Sequence, residues 1–373
     1  MIFDTVAERR ADIDAKQAAL LPILTSMRVE SLLLFMPAHV AWFTAGMQVP
    51  GFLPDSERPG IYTNGHQRWL VCSNIDTQRM FDEELDGLGF QVKEWQWEAG
   101  RSEFLAYLTC GNKVAADRPF PQIPLANEHL RQHLRVLSPF EQSQYRELGK
   151  LVAQAVEGTA RHCVRGQTEQ EIAGQLGHRL FHHGIEPVAV SVVADGRGAR
   201  YRRSGAGISC VTQTAVIQAT GCRNGLFATC SRTVSFGSVP SEFATAHDLA
   251  VKQAGSFRSW TKPNKTIGAI GGAGRAILAQ SPFEFDYWLS PPGYGTGRFA
   301  AEFLGRPAHE EPLAAGNAVV WQPRVGPAAV VDTLLVTDAE PLAITPPEGW
   351  PVKRLVVRGG PPQDIADILV RDS

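Results

Sequence analysis

The chain has 373 residues, 44% of them hydrophobic and 20% charged, with a formal net charge of -2. Its length exceeds that of the usual single domain and predicts two cores. The near-zero charge excludes a surface that attracts nucleic acid or anionic membrane as a whole, and no apolar run approaches a bilayer span, so neither partner is expected.

In chain order, residues 5 to 29 read as an amphipathic helix and SLLLFMP (31 to 37) as a short buried strand. IYTNGHQRWLVCS sets two extended runs about an Asn-Gly pair, a hairpin signal. A helix from about Thr77 to Leu88, a strand at FQVKEW, a helix near Glu103 to Thr109 and a strand at KVAAD complete a mixed α/β series. Ser138-Pro139-Phe140-Glu141 is a capping box with Pro at the first helical position. The first domain is therefore expected over residues 1–137 and the second over 138–373. The polar start MIFDTVAERRADID is unlike a secretory leader, and the expected location is cytoplasmic.

The Ser138 cap opens a long helix to about Cys163, and a second box, Thr168 to Glu171, opens another, on which Ile172, Leu176 and Leu180 share one face. The strand VAVSVVA (188 to 194) follows. AVIQATGCRNGLFATCSRTVSFG (215 to 237) then folds two strands about Arg223-Asn224-Gly225. A helix over about 241 to 258, a Gly-rich helical stretch over about 266 to 280, and the strands NAVVWQPRV and AAVVDTLLVT complete the chain. Paired helices with antiparallel hairpins between them indicate an α+β fold and not a doubly wound sheet. No GxGxxG follows a strand, and there is no P-loop lysine motif and no GxSxG elbow. The six cysteines are scattered without CxxC or zinc-ligand spacing; reduced thiols are expected, with Cys230 a small buried hydrophobe.

Several of these features, in this order and at these distances, resemble the creatinase and aminopeptidase P superfamily, peptidase family M24. They are the Ser-Pro-x-Glu helix start, Gly166 with Thr168-Glu169, Gly225 with Arg232-Thr233, and Asp332 to Thr337. The resemblance implies a C-terminal pita-bread domain, a curved antiparallel sheet with paired helices, preceded by a smaller α/β domain of creatinase type. It also implies a homodimer, with residues such as Trp42 reaching a partner's pocket. Metallopeptidases of the superfamily bind two metals through five side chains. The matching positions here hold Gln218, Thr229, Tyr294 (in Gly293-Tyr294-Gly295), Gln322 before Pro323, and Val331. A neutral set of this kind lacks the anionic oxygen or imidazole that divalent ions need, so no metal and no other cofactor is expected.

Creatinase works without metal through a histidine on the segment before the hairpin. That segment here, DGRGARYRRSG, has no His but carries Arg197, Arg200, Arg202 and Arg203 around Tyr201, a local field suited to an anion. HEEPLAAG, beginning at His309, resembles the His-Glu-x-Pro segment of metal-dependent relatives. Two readings follow. The first is a metal-independent enzyme acting on a small, carboxylate-bearing, amino-acid-like substrate by C–N hydrolysis, elimination or cyclisation. In it Tyr294 and His309 move protons, Arg200, Arg203 and Arg324 hold the anion, and Gln218, Thr229, Gln322 and Arg232 complete the binding set beside a Trp288 wall. The alternative is a catalytically inactive binding protein for peptides or small anions.

Overall fold

The computed structural model describes residues 6–49, 53–357 and 360–372. Two compact units divide the chain, Met1–Glu141 and Gln142–Ser373. The first helix, α1, runs over Val6–Met27; Thr5, which the sequence places in it, lies outside the described residues.

The first unit continues with β1 (Ser31–Leu34), α2 (Pro37–Phe43), β2 (Gly60–Thr63), β3 (Arg68–Ser73), and α3 (Thr77–Arg79), which leads into a π turn over Met80–Leu85. Then come β4 (Gln91–Trp95), α4 (Arg101–Thr109), β5 (Val114–Ala116) and α5 (Asn127–Arg135). The sheet order is β4-β3-β2-β1-β5. The β2–β3 hairpin turns at Asn64-Gly65, where Gly65 has φ 81°. Both parallel pairings, β3 with β4 and β1 with β5, require crossovers, which the helical segments supply. The β1–α2 corner is fixed by Asp117, whose carboxylate accepts from the amides of Phe35 and Met36 and lies 2.9 Å from His39 Nδ1. Trp42 is 3% exposed, packed in this unit's own core with Phe43 and Leu34, so the expectation that it lines a partner's pocket is corrected.

The remaining elements are α6 (Pro139–His162), α7 (Glu169–His182), β6 (Glu186–Ala194), β7 (Thr214–Arg223), β8 (Leu226–Phe236), α8 (Ser241–Trp260) and α9 (Ile267–Leu278). They are followed by β9 (Gly293–Thr296), β10 (Phe303–Leu304), β11 (Ala318–Trp321), β12 (Arg324–Val325), β13 (Ala328–Ala329), β14 (Asp332–Leu335) and β15 (Leu342–Ala343). β16 (Val352–Val356), β17 (Pro362–Ala366) and β18 (Ile368–Arg371) end the chain. Both capping boxes form: the Ser138 amide donates to Glu141 and the Glu141 amide to Ser138 Oγ, and the Thr168–Glu171 pair repeats the arrangement.

Two sheets carry the second unit, β18-β8-β7-β6 and β10-β9-β11-β14-β15. The β7–β8 hairpin has a two-residue turn in which Asn224 (φ 53°) and Gly225 (φ 69°) both take positive φ, the geometry that matches strand twist. Each of the two long strands expected near the end is broken in two. Pro323 has no N–H to give a ladder, which ends β11. The amides of Val330 and Val331 turn to Pro323 O and Ser231 Oγ, which separates β13 from β14. Among the described residues no helix is long and apolar enough to cross a membrane.

Candidate active site

The β7–β8 register sets Gln218 opposite Ser231 and Thr220 opposite Thr229. Because side chains alternate along a strand, all four project from one face of the hairpin. Thr220 and Thr229 share a hydroxyl bond of 2.8 Å, and the Tyr294 hydroxyl reaches Thr229 Oγ1 at 3.3 Å. Arg324, at the start of β12, donates from Nη2 to Gln218 Oε1 at 2.7 Å. Gln218, Thr229, Tyr294 and Arg324 are therefore brought together from four strands, β7, β8, β9 and β12, that the sequence scatters over more than a hundred residues.

The electrostatics of this cluster are those of a largely buried cationic niche, with Thr229 and Tyr294 buried and Gln218 and Arg324 partly so. Burial pushes the Tyr294 phenol above its ordinary value, opposed by the Thr229 hydrogen bond and the Arg324 charge. Burial also lowers the Arg324 guanidinium, with the Arg202 charge acting in the same direction and Tyr294 against it. Tyr145, buried behind the hairpin, donates to Phe227 O at 2.7 Å and supports the strand that carries Thr229.

The other expected site residues fall elsewhere. Gln322 donates from its side chain to Pro291 O at 3.1 Å, so it holds the approach to β9. Val331 is fully buried and meets Ser231 through backbone and side-chain bonds. Trp288 is 61% exposed, edge-to-face with Tyr287 and under the Arg275 guanidinium, and is not brought to the cluster. Arg200 and Arg203 are exposed, and Arg200 lies over the Tyr201 ring. Arg197 is tied to buried Glu169 by two bonds, of 2.9 and 2.6 Å.

Two assignments require correction. His309 stacks on Phe303 with ring centroids 4.3 Å apart, and Phe303 pairs with Gly295 and covers the space a Gly295 side chain would take. Gly295 and Tyr294 are successive strand residues and face opposite ways, so His309 stands across β9 from the Tyr294 hydroxyl. It cannot share a pocket with that group as the second proton carrier. Arg232 is 1% exposed, and its guanidinium is committed to Glu157 (3.0 Å), Asp332 (3.0 Å), Ser231 O and Thr345 O. Its role is to tie the hairpin to α6 and β14; four of its five N–H groups are spent within the protein, and its burial keeps it from a substrate.

Sequence reasoning missed three members of the site. Thr220 was within reach, being two residues from Gln218 on the same strand face. Arg202 belongs to the arginine run, but only the fold shows that it, and not Arg200 or Arg203, turns inward to Asp286 (2.8 Å) and Gly326 O (2.9 Å). Asp286, on a short 3-10 turn over Glu284–Trp288, carries no signal in the sequence.

The family described as "Metallopeptidase family M24" matches residues 143–338, more than half of the chain. The chain belongs to family M24. Solved structures share its fold at low identity. Dipeptidase PepE from Mycobacterium ulcerans is 18% identical with a TM-score of 0.73, over 90% of this chain and 96% of that one. The prolidase from Pyrococcus horikoshii OT3 is 17% identical with a TM-score of 0.73, over 91% and 99%. The N-terminal domain of the FACT complex subunit SPT16 from Cicer arietinum is 10% identical with a TM-score of 0.65, over 91% and 97%. A search of curated proteins gives no match. The family name implies metal, whereas among the described residues no group of three or more His, Cys, Asp or Glu side chains is placed to hold an ion.

Proposed function

We propose that this M24 member is a metal-independent enzyme that acts on a small, carboxylate-bearing, amino-acid-like molecule, cleaving or rearranging a C–N bond by hydrolysis, elimination or cyclisation. The observation that carries this reading is the Arg324 guanidinium bonded to Gln218 at one of the implied ligand positions. A fixed positive charge there repels a divalent cation and attracts an anion. The remaining positions do not fit a metal pair either. Val331 has no donor atom, and Thr229, Tyr294 and Gln322 are neutral and hydrogen-bonded within the protein. Family membership supports an enzyme over the binding-protein alternative, and the dipeptidase and prolidase names of the structural neighbours support a small substrate with an amide-type C–N bond.

In this reading Tyr294 is the proton-moving group. Burial keeps its phenol protonated at neutral pH, so it donates to the departing nitrogen or developing oxyanion, with Thr229 and Thr220 behind it as a hydroxyl chain. Gln218 Oε1 is occupied by Arg324, which leaves its Nε2 to donate to substrate. The resemblance further supports a homodimer. A turnover screen of N-acylated amino acids and related amides, run after chelator treatment, tests the reading. Turnover is expected to survive the chelator, and activity that returns only on adding manganese, cobalt or zinc overturns it.

A further inference from the structure

Of the arginine run only Arg202 turns inward to serve as a seat for the substrate's charge, since Arg200 and Arg203 are exposed and Arg197 is consumed by Glu169. The two inward guanidiniums differ in kind. Arg324 makes one hydrogen bond among the described residues, to the Gln218 amide oxygen, so most of its five N–H groups remain available. Arg202 is held through both Nη atoms, by Asp286 and Gly326 O, while its Nε is buried without a partner among the described residues. A buried donor left without an acceptor costs free energy unless a ligand supplies one. The two cations are brought to one place because Arg202 donates to Gly326 O, two residues on from Arg324.

Asp286 is the one carboxylate bonded to either guanidinium among the described residues, and its second oxygen accepts from the Gly326 amide. Two positive charges against one negative leave a single positive charge for a guest to neutralise. We propose that Arg324 and Arg202 form the seat of a single carboxylate, taken by the free fork of Arg324, and that Asp286 is a resident carboxylate that sets the seat's net charge and hence its preference for monoanions. The seat lies beside Gln218, which places the rest of a short substrate toward Tyr294 and Thr229. This inference rests on the proposed amino-acid-like substrate, but concerns binding alone.

The test is acetate binding at constant ionic strength, with chloride as the balancing anion, followed by calorimetry and by the shift in thermal midpoint. Asp286→Asn keeps an acceptor for the Gly326 amide while removing the charge, and is expected to tighten acetate binding about three-fold or more, the scale of one part-buried charge interaction. A merely structural role for Asp286 would weaken binding or leave it alone. Arg324→Met is expected to weaken acetate at least about ten-fold, and Arg324→Lys to recover part of that loss, because the charge remains but the fork does not. Paired Arg200→Met and Arg203→Met changes should leave the titration as in the wild type. Acetate binding that is unchanged in Arg324→Met, or unchanged or weakened in folded Asp286→Asn, overturns the proposal. Should Asp286→Asn fail to fold, the Arg324 pair still decides the seat. Because turnover is not measured, a chain inactive in every catalytic screen would leave this result standing.

Discussion

Replacing Arg232 by Met should destabilise the protein by about 3–5 kcal/mol, the cost of leaving a buried ion without its partner. The residue left exposed to that cost is Glu157 on α6, itself fully buried and bonded to Arg232 Nε at 3.0 Å. It keeps an ion pair with Arg161 and a bond from the Glu348 amide, both at 3.3 Å, but Arg161 is partly exposed and does not replace the buried guanidinium. Asp332 loses less, because it is partly exposed and still accepts from Thr345 Oγ1. Urea unfolding followed by circular dichroism measures the change as a shift in midpoint at constant slope. A loss below about 1 kcal/mol, the value of a surface pair, would contradict the network role assigned to Arg232.

For Tyr294→Phe the expected loss is in turnover, about 10²- to 10⁴-fold, the usual contribution of one positioned acid or base. The phenyl ring keeps the packing with Val320 and Leu304 on the same sheet face, so folding should change little. With the phenol raised by burial, the Tyr294 contribution should be level through neutral pH. It should fall only as pH rises past the ordinary tyrosine value of about 10. His309→Ala should retain most of the wild-type turnover, since its ring lies across β9 against Phe303. Unchanged turnover in Tyr294→Phe would remove the proton-transfer role.

What the sequence discloses here is local. Ser138 with Glu141, Thr168 with Glu171, and Asn224-Gly225 each specify their own geometry within four residues, and each is found as expected. The hairpin register follows from that turn, which is why Gln218 and Thr229 could be set on one face. Long-range placement was not legible. Arg232 finds partners 75 and 100 residues away, and nothing in Arg-Thr distinguishes a committed guanidinium from a free one. The side of β9 on which His309 lies depends on how two-residue β10 pairs, a register set by Gly295 having no side chain to exclude Phe303. β16 to β18 also went unread. They are short and partly exposed, and β18 exists by pairing in parallel with β8 from the far end of the chain.

Metal analysis of the purified, undialysed protein probes the central claim most directly. With Arg324 bonded to Gln218, and neutral side chains at the other implied ligand positions, manganese, cobalt and zinc should each fall well below one equivalent per chain. Near two equivalents of any of them, retained through gel filtration and lost on Tyr294→Phe, would contradict the account.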